Sequence, residues 1–348
     1  MIKLNHLFLV FTLLMFSCAN EKGEQITYRT TEKLLPAASG GYSDIVVITE
    51  KKVWKNGVKQ VFTQVFSQEL KGLYTPEHNY DLISIADQSF SNLFKKQRII
   101  IRTSIRSNVP KPTIGFKEDK YAKNQLYISI TANSKQALIN AVEKQQASLL
   151  QTVNAFRLRG LSSAIVSARN NKVDTILKRI NCTVKMPQDF SLVEQEDNFF
   201  YFGRKGMGSC ESGRNSECQY QVGWSVYQFS IDENESFLKT SFVTLRDSLT
   251  KVYVVGEAGE KQPFMEIEKK FPLNIKDIYF NGKRAYEVRG WWNMVNATMG
   301  GPFLSYVVLD DKLKIGYLID GFMFGPNLKK RKFLLELEVI SKSLKFTN

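Results

Sequence analysis

The chain is poor in the residues on which most reaction centres depend. Its 348 residues include two histidines, His6 and His78, and four cysteines. His6 falls in the N-terminal apolar run, so only His78 remains to act as a base, and it follows Pro76 in the loop-like stretch Thr75-Pro76-Glu77-His78-Asn79. A Ser-His-Asp or Cys-His machine has only that residue to use, and a solvated loop histidine is the plainer expectation. Zinc needs three or four convergent ligands, and the Cys and His positions are dispersed, so no metal and no cofactor are expected. A phosphate cradle is missing as well: Gly206-Met207-Gly208 is a GxG with no helix opening directly after it, and it reads as a flexible stretch. Acid is in deficit, with 34 Asp and Glu against 48 Lys and Arg, a formal charge of +14. Such a surface suits anionic lipid headgroups, an acidic glycan or an acidic partner. The alternative is a scatter of solvated lysines.

What is present begins at the N-terminus. Lys3 precedes an apolar run from Leu4 to Phe16, and Leu14-Met15-Phe16-Ser17-Cys18 closes it before the polar Asn20-Glu21-Lys22-Gly23-Glu24. The run is too short to span a ~30 Å hydrocarbon core comfortably. The pattern resembles a bacterial lipoprotein signal with its lipobox, although Met15 stands where Leu is commonest. The resemblance implies cleavage before Cys18, acylation of that residue and attachment to a membrane through the lipid; a plain secretory signal is the alternative. Residues 1–17 are then a signal peptide and 18–33 a tether. Ala19 and Asn20 do not supply the aspartate that retains some lipoproteins in the inner membrane, so an outer-membrane anchor facing the periplasm is the expectation. Nucleic acid is no partner in that compartment.

Hydrophobic patterning divides the rest at about residue 181. Residues 34–181 read as an α/β domain, with short β-branched runs at Asp44–Thr49, Tyr80–Ala86, Arg98–Ile105 and Leu126–Thr131 and a helix from Trp54 to Leu70. From Ser134, an N-cap, to about Ile180 the apolar stripe Leu138, Val142, Leu149, Val153 and Phe156 predicts long helices divided at Gly160. Arg157, Arg159, Arg169, Lys172, Lys178 and Arg179 give the later helix a basic face, either solvated or turned to a membrane or acidic partner. Residues 182–348 change texture to aromatic strands and tight turns. A strand at Asn198–Phe202, a loop from Gly203 to Glu217 and a strand at Tyr220–Ile231 precede an amphipathic helix over Phe237–Lys251. Asn281-Gly282 marks a type I′ hairpin between Asp277–Phe280 and Arg284–Trp291. A second hairpin joins Phe303–Leu309 to Leu313–Phe324, and Asn327 is placed to cap a last helix striped by Phe333, Leu337, Ile340 and Leu344. The expected fold class is α+β: two sandwich halves, a mixed sheet with long helices first, then an antiparallel sheet flanked by helices.

The densest unusual stretch is Arg289-Gly290-Trp291-Trp292-Asn293-Met294, followed by Met299-Gly300-Gly301-Pro302-Phe303. Successive strand residues face opposite ways, so Trp291 and Trp292 cannot fill one core. Gly300, Gly301 and Pro302 turn the backbone tightly or bring it close to a neighbour, and Arg289 is placed to meet an anionic or carbohydrate group. Arg289, Trp291, Trp292, Gly300, Gly301 and Pro302 are thus the candidate binding residues, against the alternative that both tryptophans pack across the boundary between the halves. This stretch, with Gly321-Phe322-Met323-Phe324-Gly325-Pro326 and Lys329-Lys330-Arg331-Lys332, resembles a lipoprotein family typical of Bacteroidetes, domain of unknown function 4837. Leu35–Val47 and the Trp54 helix fit it too, so the resemblance covers nearly the whole mature chain. It implies placement in the envelope and little about activity. The element order of the C-terminal half is similar to the PsbP-like fold, which serves assembly and binding more often than catalysis.

Smaller signals complete the reading. Cys210 and Cys218 flank a Gly/Ser-rich segment and either close a small disulfide loop or stay reduced, with Cys182 left over and buried. Asp174-Thr175-Ile176 and Asp247-Ser248-Leu249 resemble a periplasmic O-glycosylation triplet, with Thr175 and Ser248 as acceptors. Asp310, Asp311 and Asp320 near the hairpin ends are what a carboxylate-dependent hydrolase would use. The expectation is a tethered, non-enzymatic binding or assembly module engaging an envelope protein or an anionic or glycan ligand. A small-molecule or glycan binder with an aromatic cleft around Trp291 and Trp292 comes second.

Overall fold

The computed structural model describes residues 34–211, 216–231, 239–256 and 261–347. The signal, the tether, Cys18, and the start of the Phe237 helix with Leu238 lie outside the described residues. The N-terminal half holds β1 Asp44–Ile48, α1 Lys51–Val53, a π-helical turn at Trp54–Val58, α2 Lys59–Phe66, β2 Asp81–Ile85 and α3 Asn92–Lys95. It continues through β3 Ile99–Ile105, β4 Thr113–Glu118, β5 Leu126–Ala132, α4 Lys135–Lys144 and α5 Gln146–Ser167. Its sheet has the order β2-β1-β3-β5-β4, parallel except for β4. The β-branched runs at β1 and β3 are buried because helices α2, α4 and α5 cover one face and Phe90, Phe94 and Tyr121 the other.

The C-terminal half contains α6 Lys172–Leu177, β6 Cys182–Thr183, β7 Ser191–Gln195, β8 Phe199–Ser209, β9 Glu217–Ser230, α7 Lys239–Tyr253 and β10 Phe264–Ile267. It ends with β11 Asn274–Phe280, β12 Lys283–Val295, β13 Gly300–Asp310, β14 Ile315–Phe324, α8 Arg331–Lys342 and β15 Lys345–Phe346. The large sheet is antiparallel in the order β10-β12-β13-β14-β9-β8-β7, with β11 also on β12. It curls into a half-barrel. On the outer face Tyr306, Val308, Tyr317, Ile319 and Met323 pack with α6 and α8. On the inner face Phe303, Val307, Leu318 and Phe322 pack with Phe242 of α7. Burial on both faces makes β13 and β14 near-continuous apolar runs. The expected α+β architecture, mixed sheet first and antiparallel sheet second, is the observed one.

Four local expectations are corrected. Helix α5 runs unbroken through Gly160, and the division falls earlier, at Gln145. The glycine serves packing: a Cβ there would lie 2.5 Å from the Tyr42 ring, whose hydroxyl donates to the Gly160 carbonyl at 3.1 Å. The Gly203–Glu217 loop is largely strand, since β8 pairs with β9 as far as Ser209 and Glu217, which puts Gly206-Met207-Gly208 in the ladder. The basic face is reduced by pairing: Arg157 is buried, Arg159 binds Glu118, and Arg169 binds Asp174. Asn327 does not cap α8. It adopts a left-handed φ of +58°, and the orphan N–H groups of Lys330 and Arg331 donate instead to the Glu77 carboxylate, at 2.6 and 2.9 Å.

That cap comes from the other half of the chain. A carboxylate on the first N–H groups of a helix satisfies donors and complements the helix dipole, so Glu77→Ala should lower the unfolding free energy by about 1–2 kcal/mol. Urea denaturation should show a lower midpoint with an unchanged m value. Asn327→Gly, at a backbone angle glycine adopts freely, should leave the midpoint in place.

Candidate functional site: a cavity at the end of the half-barrel

Strand β12 assigns the candidate residues to different places. Its alternation turns Val288, Trp292 and Met294 into the half-barrel, while Arg289 and Trp291 point to the opposite face. Trp292 is 1% exposed and lies edge-on to Phe322, with ring centroids 5.9 Å apart. Gly300 and Gly301 form no turn. They open β13 opposite Asn293 and Trp292, with Pro302 buried opposite Trp291. Any Cβ at Gly301 would run into the Met323 carbonyl and come within 3.1 Å of the Trp292 indole nitrogen. Close approach is the role of this glycine.

Beyond the C-terminal end of α7 the inner face of the sheet bounds a cavity of about 860 Å³. Tyr201, Met265, Trp292, Met294, Phe322 and Phe324 line its interior, and Tyr253, Val254, Val255 and Gly256 bound it from the helix end. Glu194, Lys205 and Gln221 add polar groups. Burial raises the Tyr201 hydroxyl to about 12 despite its hydrogen bond with Gln221, so it stays protonated at neutral pH. The Trp292 Nε1 is buried and has no protein hydrogen-bond partner. A buried unpaired donor is costly, and this one lies against Gly301 rather than on the cavity surface.

Next to this cavity α7 is bonded to the sheet. Arg246, fully buried, donates from Nε to Asp320 at 3.0 Å and lies 4.0 Å from the Phe303 ring centroid. Asp320 also accepts from the Ser305 hydroxyl at 2.5 Å. Thr250 donates to the Met265 carbonyl, and Asp247 accepts from the Ile267 N–H, at 2.8 Å each. Sequence reasoning missed Arg246. Its signal was a charge four residues after Phe242, on the apolar face of the helix.

Arg289 is not in the cavity. It donates to Glu287 at 2.8 Å and to Glu338 of α8 at 3.2 Å, in the seam between the halves. Burial works to lower its pKa, and the two carboxylates outweigh that and raise it. Glu338 balances the same way: burial raises its carboxyl, while Lys342 and Arg289 lower it further, to a net value below the usual one. Arg157 extends the seam, donating to the Asn79 carbonyl and to Asn154, with Tyr80 stacked 4.3 Å away. Arg331 joins α8 to Asp81 and to the His78 carbonyl, at 2.6 Å each. His78 itself is exposed.

The carboxylates of the hydrolase reading do not converge. Asp320 faces α7, whereas Asp310 lies on the outer-face side bound to Lys283, five positions along β13 from the Ser305 that pairs with Asp320, or about 17 Å. Asp311 is exposed and meets Arg284. Among the described residues no group of three or more His, Cys, Asp and Glu is arranged to hold a metal, and no helix is long and apolar enough to cross a membrane. Cys210 and Cys218 are joined by a disulfide across the β8–β9 hairpin; Cys182 is free and buried, its thiol pushed up to about 12 by burial. Thr175 and Ser248 are both exposed on helices.

Residues 169–343, half of the chain, match the family described as Domain of unknown function (DUF4837), and the chain belongs to that family. The match covers the C-terminal half rather than nearly the whole mature chain; residues 38–164 match a different model, Domain of unknown function (DUF8532). No curated protein matches. Among solved structures, a point mutant of the protein Mog1 is 10% identical, with 48% of this chain and 92% of that one covered and a TM-score of 0.29. The Saccharomyces cerevisiae Ran-binding protein Mog1p gives 10%, 48%, 91% and 0.29. A Bacteroides thetaiotaomicron structure gives 9%, 49%, 46% and 0.25.

Two outcomes test these electrostatic assignments. Arg246→Met strands a buried carboxylate and should cost about 3–5 kcal/mol, whereas Arg246→Met with Asp320→Leu should recover most of the loss in the same denaturant titration. For Glu338, a carboxyl held below its ordinary value of 4.5 contributes stability that is complete above 4.5 and lost as pH falls through the lower folded-state value. Unfolding free energy should therefore fall on acidification below that point, and Glu338→Gln should lower stability at neutral pH while flattening this acid limb.

Proposed function

We propose that this protein is a non-enzymatic binding protein of the cell envelope, held to the outer membrane by lipid on Cys18 and facing the periplasm, with the half-barrel cavity as its ligand site. The observation that carries the reading is the cavity itself. About 860 Å³ lies within the range of small-molecule sites, and its walls are mainly apolar, with aromatic, methionine and aliphatic side chains beside Glu194, Arg204, Lys205 and Gln221. The ligand class that fits is a small, largely apolar molecule, with Gln221 and the protonated Tyr201 hydroxyl among the polar groups available to orient it. Asp310 and Asp320 stand on opposite faces, about five strand positions or roughly 17 Å apart, which speaks against acid–base work by that pair.

Titration with the neutral dye N-phenyl-naphthylamine reads the site directly. Saturable enhancement of its fluorescence is expected. Met299→Trp, which narrows the cavity, should reduce it at least about tenfold. Dye binding that is unsaturable, or indifferent to Met299→Trp, rejects the cavity as the site. The anchor is tested separately: the intact mass of membrane-extracted protein should correspond to a chain starting at Cys18 with acyl groups attached, and an unmodified Cys18 rejects it.

A further inference from the structure

The sheet face opposite the cavity carries a second feature. The connection between α2 and β2 folds across β12, where Gly72, at φ +83°, lies against the Arg289 Cβ and the Gly290 nitrogen. This close approach, open only to glycine at that backbone angle, brings Tyr74 over Trp291 and Phe271. The three rings form a triangle, with centroids 5.0 Å apart for Tyr74–Phe271 and 6.0 Å for each ring to Trp291. A ring cluster serving only to pack the core would be covered, yet Tyr74 is 67% exposed and Phe271 and Trp291 are half-buried.

Charge surrounds the cluster. Lys71 precedes Tyr74 by three residues, and Lys269 and Lys270 lead into Phe271; all three are exposed and make no salt bridge among the described residues. The acids nearby are largely engaged: Glu77 caps α8, Glu268 accepts from the Lys270 N–H, and Asp247 of α7, within electrostatic reach of Lys269, accepts from the Ile267 N–H. Glu69 remains as an exposed carboxylate beside them. The rings are tilted against one another by 53°, 49° and 33°, so they present no single flat face of the kind on which a sugar ring stacks. Amphipathic rings edged by unpaired ammonium groups, on a chain of formal charge +14, fit a different environment: the headgroup layer of an anionic bilayer.

We propose that Tyr74, Phe271 and Trp291, with Lys71, Lys269 and Lys270, form a membrane-docking patch that seats the folded protein on an anionic lipid surface. The patch acts beside any lipid anchor and independently of the cavity. Docking through this rim turns the Tyr74 connection and the segment between β10 and β11 to the bilayer.

The test uses the chain from residue 18 onward carrying Cys18→Ala, so that neither an acyl chain nor the apolar Leu4–Phe16 run contributes, and compares its partition into mixed phosphatidylglycerol and phosphatidylcholine vesicles with that into phosphatidylcholine alone. A preference for the anionic vesicles at low salt is expected, fading at high salt as screening shortens its reach. Lys269→Glu with Lys270→Glu should reduce the preference at least about tenfold, since each lysine near such a surface contributes roughly fivefold. Tyr74→Ser, at a largely exposed site, should weaken it without changing the unfolding midpoint. Lys172→Glu with Lys178→Glu, exposed elsewhere, should do much less. Equal partition into both vesicle types overturns the proposal. So does an equal loss from the Lys172 and Lys178 reversals, which would make the attraction one of net charge alone. Retention on an envelope polysaccharide, lost in Tyr74→Ser while vesicles are ignored, overturns it in favour of a glycan.

Discussion

The alternation of β12 between two covered faces is the constraint on which the rest depends. Helices α6 and α8 lie on one side of the large sheet and α7 on the other, so a residue turned either way enters a packed environment rather than water. Arg289, Gly290, Trp291 and Trp292 are neighbours in sequence and therefore belong to three different places. Arg289 enters the seam, Trp291 the rim where the Tyr74 connection crosses, and Trp292 the half-barrel interior. Sequence proximity made them look like one site. The pleat separates them.

The seam shows how the halves are matched. The core of the C-terminal half also takes in Leu73 and, from α5, Leu158, Leu161 and Ile165, and beside it the seam carries Arg157, Glu287, Arg289 and Glu338, with Tyr80 and Tyr306 in the adjoining cores and Glu77 and Asp81 meeting α8. Two greasy surfaces can slide past each other at little cost. Buried charges cannot, because a shift that breaks one pair leaves the other partner unpaired in a low-dielectric setting. Burial and neighbouring carboxylates raise the Tyr306 hydroxyl well above its ordinary value, which keeps it a neutral donor to Glu287 at 3.3 Å. A joint built this way favours one relative placement of β12, α5 and α8.

Legibility in the sequence followed the physics of each element. A run that is buried throughout, such as Phe303–Leu309, or mostly so, such as Ile99–Ile105, announces itself by composition, as does the Asn281-Gly282 hairpin, whose two residues both take positive φ. Edge strands do not: β4 and β7 are mostly exposed, with polar residues in place of an apolar stripe, and neither stands out from the sequence. Gly160 and Asn327 misled because their local propensities were overridden from far away, by the Tyr42 ring and the Glu77 carboxylate. The candidate site was half legible. Trp292 belongs to it, but Tyr201, Tyr253 and Met265 are scattered along the chain, and only the closing of the sheet brings them together.

The cavity itself has a mechanical cause. Helix α7 is held to the sheet by a row of polar contacts at Arg246, Asp247 and Thr250, which reach β14 and β10 and fix how far along the strands the helix extends. Past Tyr253 the helix ends, while β12 and β14 continue to Val295 and Phe324. The inner face of the sheet is thus covered where the helix lies and open where it stops. Apolar contacts alone would let α7 shift along the groove and close that gap. The Arg246–Asp320 pair opposes the shift, because moving the helix by one turn would separate two buried charges. The hydrogen-bonded middle of the half-barrel supports the aromatic space at its end.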